Sequence, residues 1–217
     1  LIIHWYAQNF LINHKYATHK KMSQIPIGLA YHHYFNEDIK EQASKIVSPM
    51  KQEEILNSVI YLSKMLNLPF WNREVKCYIN FNNHNYIRSR YGYDRYEALT
   101  KIPKHLISSE IGIVERTISW WNSETKYAFI ISPYGNGFDT HRTWESLILG
   151  CIPIVKTSGL DSLYKDLPVL IVQDWSDITE ELLLSVIADF KNKHVKGKFK
   201  YNKLTLKYWM DKINSHK

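Results

Sequence analysis

Arg142 and Glu145 stand one helical turn apart, directly behind a loop that carries two glycines, Gly135 and Gly137. Glycines at such a loop let the backbone turn tightly and approach a ligand without Cβ interference. A helix N-terminus behind a glycine loop suits an anion such as phosphate, because its first amide groups point outward unpaired. Arg142 falls in the first helical turn, where the helix dipole disfavours a cation. A bound anion resolves that conflict.

The flanking residues define the elements that must hold this loop in place. Tyr127-Ala-Phe-Ile-Ile131 is a continuous apolar run, the pattern of a strand buried on both faces. Asp139 or Thr140 can cap the following helix, Gly150 can end it, and Ile152-Pro-Ile-Val155 is the next strand. At 100° per residue Trp144, Leu147 and Ile148 share one helix face, and Arg142 and Glu145 lie on the opposite one. The bland alternative is a surface Arg–Glu pair on an ordinary helix.

Upstream, Lys76-Cys-Tyr-Ile-Asn-Phe81 reads as the first strand of the same sheet, with Asn82 just beyond its carboxyl end. Open α/β sheets bind ligands at that end. Asp94-Arg-Tyr-Glu97 has the pattern of a capping box and starts a helix through Leu99. Of the nearby arginines Arg88, Arg90 and Arg95, the last opens that helix beside the loop. Lys156 follows its strand on the ligand side, where it adds charge near a phosphate or simply faces solvent. Downstream, Val169–Val172 reads as a strand, Thr179–Phe190 as a helix and Leu204–Ile213 as a final amphipathic helix. The alternating order predicts an α/β fold: a Rossmann-like parallel sheet with helices on both faces, over residues 76–190.

The segment from Ser132 to Val155, with its glycine loop, its Arg and Glu and its Gly-Cys-Ile-Pro strand entry, resembles the donor-binding core of GT-B glycosyltransferases of the exostosin-like group. The resemblance covers residues 76–190 well and the front third loosely. It implies transfer of a sugar from a nucleoside-diphosphate sugar to a glycan or protein acceptor hydroxyl, without a metal or other cofactor. It implies further that Arg142 meets the diphosphate and Glu145 the ribose hydroxyls. The chemistry agrees: a guanidinium forks onto phosphate oxygens and a carboxylate accepts from vicinal hydroxyls. By the same resemblance Gly135, Asn136, Gly137, Asp139, His141, Lys156, Asn82 and Arg95 complete the donor site. One departure stands out. Many relatives carry a sugar-contacting Glu where this chain has Gly137, and the nearest acid is Asp139. Two other classes stay open: a non-catalytic nucleotide- or sugar-binding module, and a different nucleotide-using α/β enzyme.

The remaining third frames these expectations. Residues 1–75 read as the end of an N-terminal domain and a linker, and residues 191–217 as a basic loop and C-terminal helix. Ile25-Pro-Ile-Gly-Leu29 is expected to be a linker strand, His32 and His33 loop residues, and Ser48 the cap of an amphipathic structural helix. A complete GT-B enzyme has two such domains, more than 217 residues supply, and the chain starts at Leu1 without Met. The expectation is therefore that an N-terminal domain is missing from this sequence or is supplied by a partner, and with it the general base. A net charge of +7 suits phosphate-bearing donors or an acidic acceptor. The run Lys191–Lys200 reads as a solvated helix end, and no aromatic RNA-binding motif accompanies it, so no nucleic-acid partner is expected. Cys77 and Cys151 sit in apolar contexts and are expected to be buried thiols. No stretch has the length and apolarity of a membrane span, and no signal leads the chain, so the compartment stays open: cytoplasmic, or Golgi-type with an upstream anchor. There is no Asp-x-Asp, and the ten histidines are scattered.

Overall fold

The computed structural model describes residues 3–10, 20–29, 68–81, 92–109 and 123–216. Its centre is a five-stranded sheet in which every pairing is parallel. The front segment forms a separate parallel pair, β1 (Trp5–Ala7) and β2 (Met22–Gln24). The main sheet contains β3 (Glu74–Ile79), β4 (Ile107–Ser109), β5 (Tyr127–Ile131), β6 (Ile152–Lys156) and β7 (Leu170–Val172), in the order β4-β3-β5-β6-β7. β5 and β6 are neighbours, with Phe129 opposite Ile152 and Ile131 opposite Ile154.

The helices are α1 (Asp94–Lys101), α2 (His141–Ile148), α3 (Asp161–Tyr164), α4 (Glu180–Val195) and α5 (Leu206–Asn214). Side-chain alternation along the strands sorts them onto two faces. Phe129, Ile131, Ile152 and Ile154 join Ala98 of α1 and Leu183, Val186 and Phe190 of α4 in one core. Val155 and Val169 join Trp144 and Leu147 of α2, Leu163 and Tyr164 of α3 and Trp209 of α5 in the other. Both faces of the sheet are therefore covered, which is why the strands read as unbroken apolar runs. This is a Rossmann-like α/β architecture.

Several boundaries depart from the sequence expectations. β3 begins at Glu74, ahead of Lys76, because Glu74 pairs with Tyr127. The Asp94–Glu97 capping box does not form: Tyr93 is the N-cap and makes no side-chain cap bond. The Asp94 carboxylate turns instead to the Tyr134 amide (2.8 Å) and the Trp175 indole (2.8 Å). α4 starts at the expected Thr179 cap but runs to Val195, taking in the first part of the basic run. Lys193 and His194 in its last turn suit the negative end of the helix dipole. Residues 25–29 are not a paired strand; the strand lies just before them, at Met22–Gln24. The capping helix expected after Ser48, and His32 and His33, lie outside the described residues.

Thr140 is the N-cap of α2 by position but makes no side-chain cap bond, and Gly150, at φ +72°, takes the left-handed conformation that ends the helix. The buried Arg73 guanidinium donates to Leu149 O at 2.9 Å and to Cys151 Sγ at 3.0 Å, satisfying the helix C-terminus. Cys77 and Cys151 are both buried free thiols. Burial pushes each up to about 12. Among the described residues no helix is long and apolar enough to cross a membrane.

Candidate functional site

The sheet order reverses between β3 and β5. From β3 the chain crosses to β4 on one side, and from β5 it crosses to β6 on the other. Open α/β sheets form their ligand crevice at the carboxyl ends of the strands beside such a switch point. Here those ends are Ile79-Asn80 and Ile131-Ser132, and Arg142 in the first turn of α2 reaches Asn80.

Arg142 lies in the first turn of α2 and is only 8% exposed; Glu145 is 1% exposed. The two are therefore not a surface ion pair. The Arg142 guanidinium donates to Asn80 Oδ1 at the end of β3 and stands 3.4 Å from Glu124 Oε1. Its Cζ lies 5.9 Å from the centre of the Phe81 ring. Trp144 and Leu147 point to the apolar core on the far side of the helix, so α2 is buried on both faces. The expected division of faces holds, but the polar face meets protein.

The glycine loop runs Ser132–Asp139. The Ser132 amide donates to Ile154 O at 2.9 Å and the Gly135 amide to Gly137 O at 3.0 Å. The Asp94 carboxylate, by accepting from Tyr134 N, ties the start of the loop to α1. A Cβ on Gly135 would stand 3.3 Å from Arg95 Nη2, so the glycine makes room for that guanidinium. Arg142 and Asn80 meet at the carboxyl end of β3, Arg95 lies against Gly135 in the loop that follows β5, and Asn136 is exposed at the loop tip. Ser132 Oγ is buried and has no hydrogen-bond partner among the described residues.

Other residues expected at the donor site are engaged elsewhere. Asp139 is 1% exposed, and its carboxylate accepts from Ile27 N (2.8 Å), Trp144 Nε1 (2.8 Å) and Tyr164 Oη (3.1 Å). Burial raises its pKa to about 6, against the pull of those bonds. It is a structural hub between the front segment and the domain, not a group facing a sugar. His141 Nδ1 donates to Gly28 O at 2.8 Å and serves the same junction. Gly137 packs on Asn9, whose Oδ1 accepts from the Asp139 amide at 2.7 Å. Lys156 is neither a solvent lysine nor aimed at a free anion site. Its Nζ pairs with Glu97 at 2.8 Å and Asp94 at 3.3 Å. Burial opposes the Lys156 charge, but the hydrogen bond and charge of Glu97 and the charge of Asp94 outweigh it and raise its pKa. Asn82, Arg88 and Arg90 lie outside the described residues.

Three contacts lie outside the sequence expectations: Asn80 and Glu124 on Arg142, and Asp94 on the Tyr134 amide. Asn80 carried a readable signal, a polar residue at the carboxyl end of an apolar strand. Glu124 carried none, because its partner Arg142 is distant in sequence. An apolar cavity of about 990 Å³ lies away from this crevice, against the apolar face of α2. Ile27, Phe70, Trp71, Leu204 and Met210 are among the apolar side chains lining it, a setting unsuited to a diphosphate. Among the described residues no three His, Cys, Asp or Glu side chains group as a metal site would require. Comparison with protein-family models and with curated proteins finds no match.

Proposed function

We propose that this chain is the donor-binding domain of a GT-B-type glycosyltransferase, holding a nucleoside-diphosphate sugar at the switch point between β3 and β5. The observation that carries the reading is Arg142: a buried guanidinium in the first turn of the helix that leaves the reversal point of the sheet. Arg95 beside Gly135 supplies a second positive charge to the same crevice. The diphosphate lies against the α2 N-terminus and Arg142, and the ribose hydroxyls meet Glu145. In the transfer step the bond from the anomeric carbon to the diphosphate oxygen breaks, and its electron pair stays on that oxygen. The acceptor hydroxyl oxygen bonds to the anomeric carbon and gives up its proton to a base outside this domain. Arg142 stabilises the charge that grows on the leaving diphosphate.

Asp139, His141 and Gly137 have a supporting part in this reading. They lock the loop to the front segment and so fix its shape before a ligand arrives, which reduces the ordering cost of binding.

A second reading rests on how fully Lys156 and Arg142 are engaged by carboxylates: a nucleotide-binding module that transfers nothing. A thermal-shift screen against UDP, GDP, NAD and ATP tests the binding common to both readings. Stabilisation by a nucleoside diphosphate, without NAD or ATP, supports them and counts against a different nucleotide-using enzyme. Slow hydrolysis of the matching nucleotide sugar separates an enzyme from a binding module. No shift with any nucleotide removes the crevice from consideration.

A further inference from the structure

Four lysines, Lys165, Lys200, Lys203 and Lys212, line a polar recess of about 440 Å³ between β2, α3 and α5. Among the described residues the acid that lines it is Asp166, already ion-paired to Lys200 at 2.9 Å. Lys203 is 7% exposed. Its ammonium donates to Leu163 O at 2.8 Å and Lys165 O at 2.7 Å. Those carbonyls occupy two of its three protons but bring no formal charge. No described carboxylate is ion-paired to it. Burial pulls its pKa down to about 8; Asp166 opposes this, and Lys212, Lys200 and Lys165 reinforce it. A buried cation among like charges is costly, and a bound anion offsets that cost.

The surrounding geometry is fixed. The Trp209 indole donates to Lys203 O at 2.8 Å, which holds α5 beside the lysine. Lys212 lies over the same indole, with Nζ 5.3 Å from the ring centre. Ser162 Oγ donates to Gln24 Oε1 at 2.9 Å on the opposite wall. The recess shares no lining residue with the crevice around Asn80, Gly135 and Arg142, so it stands apart from the donor site.

We propose that this recess binds a phosphate-class oxyanion, with Lys203 at its floor and Lys200 and Lys212 at its rim. Tetrahedral oxygens accept from converging ammonium groups without the planar fork an arginine site would impose. The volume admits a phosphate or a pyrophosphate. The same chemistry is presented by a free anion or by a phosphate headgroup on a lipid.

The test is calorimetric titration of pyrophosphate at low ionic strength into the intact chain and three variants. Lys212→Gln and Lys200→Gln remove rim charge. Lys207→Gln removes the same charge from α5 at a residue that is paired with Asp211 and does not line the recess. Each charged hydrogen bond lost should weaken binding about tenfold or more. Saturable binding that weakens in the two rim variants and stays within twofold in Lys207→Gln is the expected result. Cosedimentation with phosphatidylcholine vesicles, with and without phosphatidic acid, identifies the source. Binding to the acidic vesicles that pyrophosphate displaces assigns a headgroup, and no vesicle binding assigns a soluble anion. Affinity unchanged in Lys212→Gln, equal weakening in Lys207→Gln, or no saturable binding of either probe overturns the proposal.

Discussion

The side chain of Asn9 occupies the space that a Cβ on Gly137 would need: such an atom would stand 2.5 Å from Asn9 Oδ1. That oxygen also accepts from the Asp139 amide, and Asn9 itself adopts a positive φ of 51°. A side chain at the second glycine of the loop would therefore have to displace the Asn9 amide and its bond to the front of α2. Gly137→Ala should destabilise the chain by about 1–3 kcal/mol, the usual cost of overpacking. Asn9→Gly clears the space, so the double variant should be more stable than the sum of the two single changes predicts. Urea unfolding of the four chains measures the coupling, and additivity would place the role of Gly137 elsewhere.

Asp139 gives the chain a pH signature. Its folded pKa stands at about 6 against an ordinary 3.8, because burial penalises the carboxylate. A raised folded pKa means that this group's stabilisation is complete below the unfolded value and is lost as pH rises through the folded one. The loss should amount to roughly 2 kcal/mol between pH 4 and pH 7. Stability of the native chain minus that of Asp139→Asn, measured across this window, should fall by that order as pH rises. A flat difference would mean that the carboxylate is not held in a dry site.

Lys156 neutralises acids of α1, so its removal should be felt in stability before ligand binding. Asp94 is 3% exposed and would lose an ion-pair partner. Lys156→Met should cost about 1–3 kcal/mol and leave nucleoside-diphosphate affinity within about threefold. A large affinity loss in a fully folded variant would return Lys156 to the phosphate site.

Much of the fold was legible in the sequence. Tyr127–Ile131 and Ile152–Val155 are apolar throughout because both sheet faces are covered, and Gly150 marks a helix end because its backbone is left-handed. What stayed hidden were pairings across long sequence separations. Nothing beside Asp139 announces Ile27 or Tyr164, and nothing beside Lys156 announces Glu97. The capping-box pattern at Asp94 misled because a buried tertiary partner, the Tyr134 amide, outcompeted the local one. Arg142 and Glu145 share a helix face by their spacing, but whether that face meets solvent depends on β3 and on Glu124, which no local pattern reports.

If Glu145 holds the ribose, affinity should depend on the 2′-hydroxyl. The native chain should prefer the ribo- over the 2′-deoxy-nucleoside diphosphate about tenfold, one hydrogen bond to a charged acceptor. Glu145→Gln should lose most of that preference while binding both more weakly. Equal discrimination in both chains would exclude Glu145 from the ribose.

If Arg142 receives the diphosphate at the switch point, nucleoside-diphosphate affinity must differ between the native chain, Arg142→Ala and Arg142→Lys. Circular dichroism confirms that each is folded, which matters because Arg142→Ala leaves the buried Glu124 without its guanidinium. Arg142→Lys keeps the charge but loses the planar fork. Loss of a desolvated charged contact should cost about 2–5 kcal/mol, a weakening of about 30-fold or more in Arg142→Ala, with Arg142→Lys in between. Affinity within twofold of native in both folded variants, or a native chain that binds no nucleoside diphosphate, would remove Arg142 from the diphosphate site.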